Sequence, residues 1–315
     1  MQQAARNALS VTDAVPIFFL ALLAYGIAEA LHLHLRKHTA RLGEYRMMGI
    51  GLGVSGLAFA CVALLLGPVN VTIIALWSSA FAPVHAGLAP AGWVYGLIVY
   101  ELAYWLQHWL AHKVRLLWCV HSPHHAPRSM NMFVGFNHSF LESVFYMPLT
   151  LGLLPALLGV HPLVIAAIAV VDVVWGNLLH ISDGVVTRRY GVLERFLQTP
   201  SYHRVHHGRN VRYMDTNYNS ITLLWDWLLG TLQPLDDAEP VAYGITRDVN
   251  TSSFWDVHFG DFRLLWRDVR SADTWRTAAS YLVKPPGWSP SGELNTAAAR
   301  KQRLVARACK PGLAG

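Results

Sequence analysis

The chain has 315 residues, of which 53% are hydrophobic and only 14% charged, with a mean hydropathy of +0.31. Soluble domains carry about 25% charged residues, so the composition argues against a freely soluble globule. Cys61, Cys119 and Cys309 are widely separated and none sits in a CxxC, which excludes a disulfide scaffold and a cysteine zinc site. The net charge of +6 would suit a nucleic-acid binder, but the basic residues flank apolar runs and no nucleic-acid motif is present. No nucleic-acid partner is expected.

Residues 1–13 hold one basic residue and no small-residue cleavage site, so the first apolar run is expected to remain as an anchor. A helix needs roughly 20 apolar residues to cross a bilayer. Residues 15–33 and 47–66 meet that length, as does 93–109 if Glu101 is tolerated; 71–81 is apolar but short. Residues 145–160 and 163–179 read as a helical hairpin turning at His161 and Pro162. The loop after the first span holds Arg36, Lys37, Arg41 and Arg46, whereas 67–70 and 82–92 hold no Lys or Arg. The positive-inside rule then places 34–46 in the cytoplasm and delivers the end of the 93–109 span to the same side. Residues 14–181 thus read as a membrane region and 182–290 as a cytoplasmic cap. Residues 291–315 read as a basic tail. The fold class expected is all-α: a multi-pass membrane helical bundle with a cytoplasmic helical cap holding a histidine-rich di-metal site.

Histidine is the unusual residue, with 16 in all and 11 between His108 and His207. His108 and His112 stand at i, i+4, on one helical face. His121, His124 and His125 form an HxxHH box, and His203, His206 and His207 form another; His180 ends the last span. Adjacent histidines point to different faces, so each can reach a different ion. Nine imidazoles exceed the four to six ligands of one ion and suit two. All-nitrogen ligation fits Fe, Zn, Cu or Ni.

These segments resemble the fatty acid hydroxylase superfamily, which includes the sterol desaturases. The resemblance runs through ELAYWLQHWLAH (101–112), LLWCVHSPHHAPRSMN (116–131), TPSYHRVHHGRN (199–210) and DTNYNSITLLWDWLLGT (215–231). YGITRDVNTSSF (243–254) and PPGW (285–288) look most like its alkylglycerol monooxygenase branch. Trp109 and Lys113 stand where the family often has Arg and Glu, and Glu101 occupies the place of a family Asp. The resemblance implies a membrane-bound di-iron oxygenase that hydroxylates a lipid C–H bond with O2, the lipid being a fatty acid, sterol or ether lipid. It implies two Fe ions as cofactors, and a pterin or redox protein as electron donor. The location implied is a bacterial inner membrane or the endoplasmic reticulum. Desaturation by the same site is the alternative. A metal transporter would spread ionisable residues along its spans, and a zinc hydrolase would carry a motif such as HExxH, which is absent.

Besides the nine histidines, three residues are expected in the chemistry. Glu101, an ionisable group inside a span, is functional by default and stands two turns below His108. His138, in FNHS, matches a family histidine. Asn177 lies one turn before His180. Asp172 reads as a supporting group or a partner of another span, and Tyr218, Trp225 and Asp226 as residues that pack and orient the last box.

Overall fold

The structure, a computed structural model, describes residues 20–36, 46, 49–50, 52–54, 56–57, 76–77, 79–142, 146–187, 189–291 and 294–308. Expectations for 1–13, most of 47–66, most of 71–81 and the end of the basic tail fall outside them. The described residues are helical, with two isolated bridges and no extended strand. The helices are α1 (Leu20–Leu35), α2 (Pro90–Lys113), α3 (Arg115–His125), α4 (Pro162–Leu179), α5 (Pro200–His206), α6 (Leu224–Leu228), α7 (Phe254–Arg270), α8 (Trp275–Val283) and α9 (Ala297–Ala308).

Prolines set several starts. Pro90, Pro162 and Pro200 occupy first turns, where a missing N–H costs nothing. α2 and α4 pack through Val99, Tyr100, Val164, Ile165 and Ile168. Their approach is close at Gly96, where a Cβ would lie 2.5 Å from Val164 Cγ1. α7 lies along α3, covering Ala126 with Val257, Ile245 and Val249. Ser122 donates to Asp261 (2.9 Å) and Arg115 to Asp268 (2.6 Å) across this contact.

Only α4, among the described residues, is long and apolar enough to cross a membrane. The 93–109 span runs within α2, whose later turns carry Glu101, Gln107, His108, His112 and Lys113 and are correspondingly less apolar. The 145–160 span differs from expectation. It is built from a π-helical stretch (Pro148–Leu153) and a short α turn (Leu154–Leu157). Pro155 cannot donate to the preceding turn, and Thr150 Oγ1 bonds back to the Tyr146 carbonyl at 2.8 Å, competing with the regular ladder.

Candidate metal centre

α2 and α3 meet at Val114, which is extended and breaks the helix, and α3 packs against α2 with His125 beside His112. The ends of both helices thereby face α5 and the end of α4. The eight boxed histidines and His180 gather there in two buried groups. His108, His112, His121, His125 and His206 form one, and His124, His180, His203 and His207 the other. Within each group the potential ligand atoms lie within 4.8 Å of one another.

Backbone carbonyls fix the rings from outside. His108 Nδ1 donates to Tyr218 O (2.8 Å) and His206 Nδ1 to Thr216 O (2.8 Å). His124 Nδ1 donates to Val134 O (3.1 Å) and His180 Nδ1 to Gly176 O (2.7 Å). A carbonyl only accepts, so each of these rings carries its proton on Nδ1 and turns a bare Nε2 inward. The inward atoms then meet lone pair to lone pair. His108 Nε2 lies 3.1 Å from His121 Nε2, and His180 Nε2 lies 3.3 Å from His124 Nε2. Bare nitrogens at that separation repel unless a cation sits between them. Metal–nitrogen bonds of about 2.0–2.1 Å put neighbouring ligands at about this spacing. His112 Nε2 and His206 Nε2 are buried without a partner, which costs free energy in a chain lacking a ligand for them. The donor set therefore fits two metal ions, one per group.

Two carboxylates complete the surroundings, and neither was anticipated. Glu142 is fully buried and accepts from His121 Nδ1 (2.7 Å) and His138 Nδ1 (3.0 Å). Burial alone would raise its pKa, but its contacts with the His121 and His138 rings outweigh that and hold it well below the usual carboxylate range. Asp215 stands 3.5 Å from His112 Nδ1 and pairs closely with Lys113. Its φ of 54° is left-handed, a region Asp tolerates better than most side chains. Burial lowers the pKa of His206 to about 3 against its bond to Thr216, and that of His203 and His207 well below 6.5. These rings are neutral near pH 7, the form that binds metal.

The other expected residues sit around the groups. His138 stacks on His124, with centroids 4.2 Å apart, and shares Glu142 with His121. Asn177 Oδ1 is buried without a hydrogen-bond partner; a Cβ added at Gly135 would come within 2.6 Å of it. Glu101 bonds to the 219–222 loop and not to the rings. Its carboxylate accepts from Asn219 Nδ2 (2.9 Å), Thr222 N (2.8 Å), Thr222 Oγ1 (2.8 Å) and Ile221 N (3.1 Å). Asp172 accepts from Tyr100 OH (2.8 Å) and from Ser220 Oγ. Both acids clasp the loop whose Tyr218 carbonyl orients His108. Asp226 grips the same loop through Tyr218 N and Asn219 N, each at 2.8 Å. The 215–226 segment thus orients the first box as well as the last. Trp225 bonds to the Ile98 carbonyl at 3.0 Å. Glu142 stands four residues after His138 of FNHS, a helical spacing that is the one signal in the sequence that could have found it.

A cavity of about 140 Å³ opens beside the first group, lined by His112, His125, His206 and His207 with Arg209 and Arg300 among its other residues.

Residues 93–231 match the fatty acid hydroxylase family. The chain is 32% identical to alkylglycerol monooxygenase of Danio rerio over 205 residues, 63% of this chain and 43% of the relative. It is 30% identical to the Homo sapiens alkylglycerol monooxygenase, over 64% of this chain and 44% of the relative. It is 31% identical to the ornithine lipid hydroxylase OlsE of Rhizobium tropici, over 52% of this chain and 50% of the relative. The chain thus spans half or less of the length of these curated relatives. No solved structure matches it. The matched segment contains all nine clustered histidines, so the similarity to the fatty acid hydroxylase family spans the whole of the two histidine groups.

Proposed function

We propose that this protein is a membrane-bound, O2-dependent di-iron enzyme that hydroxylates a C–H bond of a lipid. The observation that carries the reading is the pair of inward Nε2 clusters, whose tautomers are fixed from outside by backbone carbonyls. When bound, two iron ions would supply the oxidising chemistry for an unactivated C–H bond. The chain's own residues do the rest. His108, His112, His121, His125 and His206 would hold one ion, and His124, His180, His203 and His207 the other. The Tyr218, Thr216, Val134 and Gly176 carbonyls keep the rings aimed. Glu142 brings a buried negative charge that offsets part of the ions' positive charge.

The lipid chain is proposed to enter from the apolar helix bodies, where α1 and α4 carry exposed Leu20, Ile27, Leu31, Leu163, Val171 and Val173. Trp227, Trp255, Trp266 and Trp275 are also exposed, a residue type that favours the headgroup level of a bilayer. Polar reactants, including the electron donor, would reach the first group through the cavity beside it. That donor is a pterin or a redox protein, and the histidine face is cytoplasmic on the Lys/Arg asymmetry.

The test is metal analysis and iron reconstitution of the purified full chain, followed by O2 consumption with alkylglycerol, ornithine-lipid and fatty-acid substrates. Two metals per chain and a hydroxylated lipid are expected. Metal content well below one, or turnover confined to small water-soluble compounds, overturns the reading. The product separates hydroxylation from desaturation.

A further inference from the structure

α1 lies outside the segment that matches the hydroxylase family, yet it packs on the 132–136 turn and on Ile181 and Ser182, next to His180 of the four-histidine group. Its buried positions are Leu22, Gly26, Glu29 and Leu33, spaced 4-3-4 on one helical face. Leu20, Ile27, Leu31 and Leu35 point away and are exposed. The buried stripe is apolar or small except for Glu29, which is only 3% exposed. A carboxylate there is costly unless it is fully engaged, and a charged residue in an apolar helix marks function by default.

Both oxygens of Glu29 are engaged, and both partners are backbone N–H groups. Oε2 accepts from Met132 N and Oε1 from Ser182 N, each at 2.7 Å. Met132 opens the 3₁₀ turn Met132–Phe136, whose Val134 carbonyl orients His124. Ser182 stands two residues after His180. Between them, Ile181 O accepts from Arg204 Nη2 at 3.1 Å, and Arg204 adjoins His203. The contact is reinforced by Leu22 packed with Met132, Phe136 and Ile181. Three of the four histidines of the second group thus depend on two chain segments joined by one side chain. The first group is oriented elsewhere, by Tyr218, Thr216, Glu142 and Asp215, and none of these touches Glu29.

We propose that Glu29 is a positioning residue of the four-histidine metal site, joining the 132–136 turn to the end of α4 so that His124 and His180 face each other. The inference rests on the two-metal reading above. Gln at this position keeps one acceptor and turns an NH2 toward a backbone N–H, so one clamp is lost.

The experiment uses the full chain in detergent, stripped of metal and loaded with Co²⁺. Cobalt stoichiometry and visible absorption are read for wild type, Glu29→Gln, His207→Ala and Leu33→Ala. His207→Ala identifies the bands of the four-histidine site. Leu33→Ala weakens the packing of the same helix and leaves the carboxylate in place. Wild type should bind two ions, and wild-type binding below one per chain overturns the two-metal reading itself. Glu29→Gln should weaken Co²⁺ at the four-histidine site by about 10- to 100-fold and alter its bands. The bands of the other site should stay unchanged. Two ions of wild-type affinity and spectrum in Glu29→Gln overturn the proposal. So does equal loss at both sites, and so does the same selective loss in Leu33→Ala, since helix docking would then be the cause.

Discussion

Glu142→Ala tests whether the metal-binding geometry is set from outside the rings. In wild type the carboxylate holds the proton of His121 on Nδ1 at 2.7 Å, leaving Nε2 bare and facing His108 and His125 Nε2 at 3.1 Å each. Removing it leaves a buried N–H without a partner, a cost of about 1–3 kcal/mol. The ring can then move its proton to Nε2, which blocks the ligand atom. Loss of such an orienting partner costs about 10- to 100-fold in metal affinity, which is about 1.4–2.8 kcal/mol at 1.4 kcal/mol per decade and agrees with the unpaired-donor cost. Glu142→Gln should be milder. Its amide oxygen can stay on His121 while its NH2 faces His138, and His138 can change tautomer because it belongs to neither of the two large groups. The assay is competition of the reconstituted full chain against a chelator of known affinity, read site by site. Wild-type affinity in Glu142→Ala would refute the reasoning. Equal loss in the Ala and Gln variants would show that charge, not the oriented acceptor, is what matters.

Gly135→Ala should impair the four-histidine group. A Cβ there would lie 2.6 Å from Asn177 Oδ1 and 3.1 Å from His180 Nδ1, overpacking of the kind that costs about 1–3 kcal/mol; undiminished metal content at that site would contradict this. Glu101→Gln should lower the unfolding temperature by unsettling the 219–222 loop, through a loss of about 1–3 kcal/mol, while metal analysis still finds both ions; loss of both ions would place Glu101 in the coordination network. Burial pushes the pKa of His258 from 6.5 down to about 4. The unfolded chain therefore binds a proton that the folded chain refuses between those values. The stability this residue contributes is complete above about pH 6.5 and is lost on acidification toward pH 4, at up to about 1.4 kcal/mol per pH unit. Denaturant melts at pH 7.5 and 5 should then show a smaller pH dependence in His258→Phe than in wild type, and an equal dependence in both would dismiss the argument.

The histidine boxes were legible in the sequence because their logic is local. Positions i and i+4 lie on one helical face, and the neighbouring residue is turned by about 100°. Each HxxHH box accordingly divides between the groups. His121 and His125 go to the five-histidine group and His124 to the other, while His203 and His207 go to the four-histidine group and His206 crosses back. The sequence could say that adjacent histidines serve different ions. It could not say which box partners which, because that depends on how α3 and α5 face each other across the ends of α2 and α4. Glu101 was noticed as an acid in an apolar run, but its partners lie on a loop about 120 residues away, a pairing no local pattern encodes. The ring-orienting groups were hidden for another reason. Tyr218, Thr216, Val134 and Gly176 act through backbone carbonyls that every residue type possesses, so their side chains carry no signal. Glu142 and Glu29 gain meaning only when folding brings a carboxylate against particular N–H groups. The residue types and their helical spacing supplied the ligands; the tertiary structure alone fixed the tautomers, the division into two groups and the acids that hold them in place.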